Sequence, residues 1–206
     1  MKNAKVYYCG DYGFECKDYE SLLPRERLEK YNRLKPLKAK QNCIGADLLL
    51  RCALKEYGVA DFKLLYTENG KPYIDCGGVY FNLSHAENGY VCAVDTAAIG
   101  ADIESVREFK DSVINRVFSP QEKAFALKSE NPQKNFTALW TLKESSLKRN
   151  GETISQYSKY SFICPSDDFY AGGLHYRTFD CGESVISVCG TFETAELKKV
   201  GFQDLV

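Results

Sequence analysis

The sequence predicts an α+β fold built from two similar halves, and three observations predict it. Two segments, 39–57 and Asn131–Arg149, repeat apolar residues at three- to four-residue spacing, the period of an amphipathic helix. Short stretches of alternating pattern surround them, as strands do. A weak internal echo links the halves. Gly89-Tyr-Val-Cys-Ala-Val closes the first and Glu183-Ser-Val-Ile-Ser-Val-Cys-Gly closes the second, each an alternating strand after a turn. Two α+β halves of about 100 residues account for a 206-residue chain.

Taken in order, residues 4–9 read as an opening strand. Residues 21–35 are charged and helix-prone, with Pro24 near their start. The 39–57 helix carries Ile44, Leu48, Cys52 and Leu49, Ala53, Tyr57 on its stripes, and Gly58 is its natural stop. A strand is expected at 61–66 and a turn at Asn69-Gly70-Lys71-Pro72. A meander of Val79–His85, Gly89–Asp95 and Ala98–Glu104 follows, with Asn88-Gly89 as its first turn. Asp111–Phe118 is a short helix. Ser119-Pro120-Gln121-Glu122 opens the next, which runs to Lys128, with a capping box and proline at its first position. The helix from Asn131-Pro132 to Arg149 meets its C-cap at Gly151. Strands are expected at Tyr160–Cys164, Leu174–Phe179 and Ser184–Gly190, then a charged tail.

The composition is that of a soluble globular protein, with 44% hydrophobic and 27% charged residues. A net charge of -1 gives no global pull toward nucleic acid or membrane, so any anion site must be local. No apolar run approaches the roughly 20 residues of a membrane span, and no apolar signal core follows the N-terminal Met1-Lys2-Asn3-Ala4-Lys5. The nine cysteines are odd in number and hold no C-x-x-C pair, which argues against a disulfide framework or a zinc ribbon. Cys52, Cys92 and Cys189 sit in apolar surroundings and read as small reduced hydrophobes. The expected compartment is the reducing cytosol.

The chemistry concentrates in a few motifs. In Ile99-Gly100-Ala101-Asp102-Ile103-Glu104, positions two apart on a strand share a face, so Asp102 and Glu104 stand about 7 Å apart on one side. They could share a cation or simply line a solvated strand edge; Gly100 leaves room beside them. On the late helix, Trp140, Glu144 and Lys148 recur every four residues and form one stripe. An exposed Glu–Lys pair would have the same spacing, but Phe136, Leu139, Leu142 and Leu147 flank the stripe and turn it toward a half-buried cleft. Glu122 serves equally as the capping-box glutamate or as a site residue. His85, one of two histidines, ends a strand in Asn82-Leu83-Ser84-His85, where it could reach a ligand; His175 receives no role. Three carboxylates, a lysine and a histidine are the parts of a metal-assisted reaction on a polyphosphate. Their hard oxygen donors select Mg²⁺ over zinc.

Together these motifs resemble the surfactin-type, two-lobed 4'-phosphopantetheinyl transferases. The resemblance runs from Gly70 to Gly151 through Gly70-Lys71-Pro72, Phe81-Asn82-Leu83-Ser84-His85, Ile99-Gly100-Ala101-Asp102-Ile103-Glu104, Phe118-Ser119-Pro120-Gln121-Glu122 and Trp140-Thr-Leu-Lys143-Glu144-Ser-Ser-Leu-Lys148. It implies a pseudo-twofold pair of α+β lobes, here 1–98 and 99–206, with coenzyme A as donor substrate between them. It implies Asp102, Glu104 and Glu144 as Mg²⁺ ligands, Lys71 and Pro72 along the nucleotide, Ser84 and His85 at coenzyme A phosphates, and Lys148 at the diphosphate. Glu144, Glu122 or a metal-bound water would take the proton of the acceptor serine, which belongs to an acyl or peptidyl carrier protein. A monomer is implied, since one chain holds both lobes. Where the family commonly has an arginine for the 3'-phosphate, this sequence has Gln41. The basic stretch with Arg25, Arg27, Lys30, Arg33, Lys35, Lys38 and Lys40 could substitute, with Arg25, Lys30 and Lys40 as candidates, or could be a solvated charged helix. Phe109, Val113, Val117 and Phe118 could anchor the carrier, although core packing is the commoner use of such residues. Two other classes fit fewer motifs. A silent module that grips coenzyme A or carriers has no need of the carboxylates, and a diphosphate hydrolase usually clusters more acidic residues on one helix.

Overall fold

A computed structural model describes residues 2–10, 14–163 and 166–206. The chain runs β1 (Asn3–Cys9), α1 (Arg25–Arg33), α2 (Leu37–Lys55), β2 (Leu64–Tyr66), β3 (Pro72–Ile74), β4 (Tyr80–Ala86), β5 (Gly89–Asp95), β6 (Gly100–Ser105), α3 (Asp111–Val117), α4 (Pro120–Leu127), α5 (Pro132–Asn150), β7 (Asp168–Ala171), β8 (Leu174–Asp180), β9 (Ser184–Gly190) and β10 (Thr194–Lys199). Two four-stranded sheets, ordered β10-β1-β5-β4 and β6-β9-β8-β7, form the body, and β2 and β3 make a separate ribbon.

The sheets pack face to face, with a helix on each outer side. Alternation along the strands explains this layering. Ala4 and Val6 of β1 and Val91 and Ala93 of β5 meet Ala101, Ile103, Ile186 and Val188 of the other sheet. The intervening Tyr7, Cys9, Tyr90, Cys92 and Val94 face α2, while Tyr176 and Cys189 join α5. Burial raises the Cys92 thiol strongly and pushes Cys189 up to about 11, as expected of inert core thiols. Cys16, Cys43, Cys52, Cys76, Cys92, Cys181 and Cys189 are free thiols.

Helix ends follow their local signals. Ser119 Oγ accepts from the Glu122 amide (3.2 Å), and a Glu122 oxygen accepts from the Ser119 amide (2.7 Å). Gly151 caps α5 at φ 67°, a left-handed conformation that glycine takes at no steric cost.

Four expectations need correction. The meander breaks after β5, because β5 already has β1 and β4 as neighbours; β6 crosses to the second sheet and pairs with β9. There its apolar Ala101 and Ile103 seal the intersheet core. Residues 160–163 form no strand, and Cys164 lies outside the described residues. Their backbone is held by side chains instead, as the site shows below. The turn signal Gly172-Gly173, both at positive φ, joins β7 to β8 in a hairpin absent from the sequence reading.

Last, the charged tail is ordered. β10 runs parallel to β1, and the turn after it stacks Phe202 on Phe14 at 4.0 Å. Glu56 gathers Lys5 (3.3 Å), Tyr7 (2.9 Å) and Lys198, which lowers its pKa to about 2, chiefly through the Lys198 bond. The chain therefore does not divide cleanly at residue 98, because its C-terminal strand completes the first sheet.

Gly100 lets α5 lie directly on β6. A Cβ there would meet Ser145 O at 1.9 Å and the Arg149 backbone nitrogen at 2.8 Å, neither of which can swing aside. We expect Gly100→Ala to cost about 3 kcal/mol, the upper end of ordinary overpacking. Urea denaturation checks this, and a loss under about 0.5 kcal/mol would show that the helix shifts freely.

Candidate active site

Three elements meet at one buried contact. Asp102 on β6 is 4% exposed, and its Oδ1 accepts from Ser84 Oγ on β4 (2.8 Å) and from Lys148 Nζ on α5 (2.6 Å). Lys148 also donates to Ser84 Oγ at 2.8 Å. Next to this triangle, the Asn82 side chain accepts from the Ala101 amide at 2.9 Å and ties β4 to β6.

The i, i+2 spacing does place Asp102 and Glu104 on the α5 side of β6, opposite Ala101 and Ile103. Glu144 lies one turn before Lys148, and its Oε1 accepts from the Tyr157 hydroxyl at 2.6 Å. Burial raises the Glu144 pKa; Tyr157 and Lys148 pull it down, and Asp102 and Glu104 push it up. Glu104 is also raised, first by burial; Arg107, at 3.2 Å, lowers it and Asp102 raises it. The three carboxylates thus feel one another. Even so, among the described residues no three His, Cys, Asp or Glu side chains are gathered as a metal cage. In chemical terms the set suits a hard divalent cation, since two of its carboxylates carry unrelieved burial and repulsion.

Three hollows follow β4. Lys71, Pro72, Asn82 and Lys148 line the first, of about 230 Å³, where Lys71 Nζ donates to Arg149 O at 2.7 Å. Burial and then Arg149 lower the Lys71 pKa. Lys38, Asn42 and His85 line the second, of about 500 Å³. Asn42 Nδ2 lies 3.3 Å from His85 Nδ1, and the protein around the ring, then Lys148, push the imidazole pKa down. Glu104, Arg107, Glu87 and Glu183 line the third, of about 520 Å³.

Several expected residues stand elsewhere. Arg25 is solvent-exposed beside Glu29, one turn along α1, and Lys30 is exposed; Lys40 lies 4.6 Å over the Tyr31 ring. Of the basic stretch, Lys38 is the residue that shares a hollow with His85. Arg27 is sequestered against Asp47 (3.3 Å), and Gln41 donates to Phe14 O (3.3 Å). Phe109, Val117 and Phe118 are buried with Phe136, and Val113 packs on them, so these are core residues and not carrier anchors. His175 is buried between Asp168 and Phe192 O.

Glu122 resolves toward structure. It is fully buried, with Oε2 on the Ser119 amide and Oε1 on the Phe162 amide (2.9 Å) and Lys143 Nζ (3.0 Å). Lys143 also donates to Tyr160 O. The buried pair thus takes the backbone groups that a strand at 160–163 would have used. A carboxylate so enclosed is no proton acceptor for a substrate, which corrects that half of the reading. Sequence reasoning gave Lys143 and Tyr157 no role of their own, and named Lys38 only as part of the basic stretch. For the first, the signal was a lysine set among the apolar residues of α5; Tyr157 carries no motif.

The two halves therefore bring a lysine, a serine and three interacting carboxylates together beside a hollow lined by Lys71 and Lys148. Residues 98–186 match the family model of the 4'-phosphopantetheinyl transferase superfamily. A 4'-phosphopantetheinyl transferase of Bacillus subtilis is 35% identical over 137 residues, covering 63% of this chain and 61% of the relative. The transferase HetI of Nostoc sp. is 33% identical over 154 residues, covering 69% and 65%. The transferase Sfp of Bacillus subtilis (strain 168) is 29% identical over 147 residues, covering 68% and 66%. The chain is thus similar to 4'-phosphopantetheinyl transferases over the stretch that carries the site. It spans a little under two thirds of the length of these relatives.

Removing the ammonium from the buried pair separates structure from chemistry. Lys143→Ala strands Glu122 as an unpaired buried charge, and we expect a loss of about 3–5 kcal/mol. Urea denaturation measures it; a loss under about 1 kcal/mol would mean that Glu122 is free to take other partners.

Proposed function

We propose that this chain transfers the 4'-phosphopantetheine arm of coenzyme A to a serine of an acyl or peptidyl carrier protein and releases 3',5'-ADP. The observation that carries this reading is the junction of Lys148 with Asp102 and Ser84 at the head of the hollow lined by Lys71 and Pro72. In the reaction the serine oxygen bonds to phosphorus, the bond from phosphorus to the 3',5'-ADP oxygen breaks, and the serine proton leaves. Lys148 Nζ neutralises charge that builds on the diphosphate as that bond breaks. Lys71, and His85 with Lys38, hold the nucleotide end by charge and hydrogen bonding, and orient it for in-line attack.

Asp102 and Glu104 are the residues that would hold Mg²⁺. When bound, that ion supplies electrostatic stabilisation of the diphosphate. Glu144 was open to two roles, ligand or base. The Tyr157 bond on Oε1 and the raised pKa favour the base, with Oε2 taking the serine proton.

A pseudo-twofold relation between halves accords with a further pairing. Each half lays a 19-residue helix on its sheet, and in each a glycine permits the contact: Gly45 against Tyr90, and Gly100 against Ser145. On this reading the enzyme works as a monomer, in the cytosol.

The test is intact mass of several apo carriers, from fatty acid, polyketide and peptide systems, after incubation with coenzyme A and Mg²⁺. The expected result is a gain of one phosphopantetheine on at least one of them. Asp102→Ala should abolish the gain while the protein stays folded. Lys148→Ala should lower kcat about a hundredfold or more, and raise KM for coenzyme A far less. Unmodified carriers throughout, or near-normal turnover by Asp102→Ala, would refute the reading.

A further inference from the structure

We propose that Tyr157 is the positioning residue for Glu144: its phenol fixes which carboxylate oxygen faces the reacting serine. The proposal rests on the transferase reading and assigns the reaction a residue outside every motif that marked the site.

Tyr157 lies in the short turn Ile154–Lys159, just past the Gly151 cap of α5. Its ring is 4% exposed and sits 5.3 Å from Trp140, one helical turn before Glu144. The ring is thus locked by packing against the same stripe that carries the carboxylate. Its hydroxyl donates 2.6 Å to Glu144 Oε1, a short charge-assisted bond. A phenol keeps its proton at neutral pH, so the hydroxyl stays a donor.

The geometry has a consequence for the carboxylate. Asp102 and Glu104 repel Glu144, Lys148 attracts it, and Lys148 is already committed to Asp102 and Ser84. Among the described residues, Tyr157 is the group seen to bond Glu144 directly. A glutamate has three rotatable bonds and, without this partner, would spread over several rotamers under mixed forces. With Oε1 pinned, Oε2 alone is left to accept a proton. Packing does not explain the hydroxyl, since a phenylalanine would fill the same space against Trp140.

The arrangement also explains why the buried Glu122–Lys143 pair matters to the site. Lys143 holds Tyr160 O and Glu122 holds the Phe162 amide, fixing the chain immediately after the turn that presents Tyr157.

The experiment is a double-mutant cycle of wild type, Tyr157→Phe, Glu144→Ala and the double variant. It is read by kcat and KM for coenzyme A with an apo carrier, and by thermal unfolding. Tyr157→Phe should lower kcat about 10–100-fold, the usual loss on removing a supporting hydrogen bond from an active-site ligand. KM for coenzyme A should stay within about twofold, since the phenol touches no substrate. In the Glu144→Ala background the same change should cost no further rate. Melting should couple likewise: Tyr157→Phe lowers Tm in wild type, but leaves it unchanged or raises it once Glu144 is gone, because the orphaned buried hydroxyl is then removed. Unchanged kcat in a folded Tyr157→Phe, or equal losses in both backgrounds, would overturn the proposal. Inactive wild type would overturn the transferase reading and the catalytic role with it. The melting cycle would still report the bond in that case, so the two failures are distinguishable.

Discussion

The contact of Asp102 with Lys148 and Ser84 is the constraint on which the rest depends. It draws one residue from each sheet and one from the helix over the second sheet, so it fixes how β4, β6 and α5 meet. A carboxylate that is 4% exposed needs partners, because an unpaired buried charge costs several kcal/mol. The neighbouring features serve the same approach. Gly100 lets the helix lie against the strand, Asn82 ties the two sheets beside it, and the apolar face of β6 closes the core behind it.

Charge in this region is deliberately unbalanced. Glu104 and Glu144 are both raised by burial and by the Asp102 carboxylate, and one ammonium is shared between Asp102 and Ser84. A fold selected for stability alone would replace such groups with apolar ones. Their retention is understood if cations and phosphate oxygens complete the balance during the proposed transfer. The Glu122–Lys143 pair is the opposite case: every oxygen and the ammonium are satisfied internally, and the pair holds backbone in place of a strand.

Much of this was legible from residue spacing, because local rules govern it. The capping box at Ser119, the Gly151 cap, the β4–β5 hairpin and the shared face of Asp102 and Glu104 each depend on a few adjacent residues. What escaped depends on distant partners. Whether β6 continues a meander or changes sheet is decided by β1, far away in the chain, having taken the edge of β5. The tail Thr194–Lys199 looks like a charged coil because an edge strand carries its charges toward water, with Glu56 waiting for Lys198. Among the basic residues near α1, helical phase decides which reach the hollow: Lys38 and Asn42 lie one turn apart and do, whereas Arg25 faces solvent. Tyr157 belongs to a turn with no periodicity, and only the folded chain shows what its hydroxyl meets.

The central proposal is that Lys148 neutralises the coenzyme A diphosphate beside the Asp102–Glu104 face. The most direct measurement is a crystal structure of the protein with coenzyme A and Mg²⁺. The account predicts the diphosphate between Lys148 and the Asp102–Glu104 face, the nucleotide along Lys71 and Pro72, and Lys148 Nζ bonded to a phosphate oxygen. Coenzyme A bound away from β4, or a complex in which Lys148 stays on Asp102 with no phosphate in reach, would contradict it.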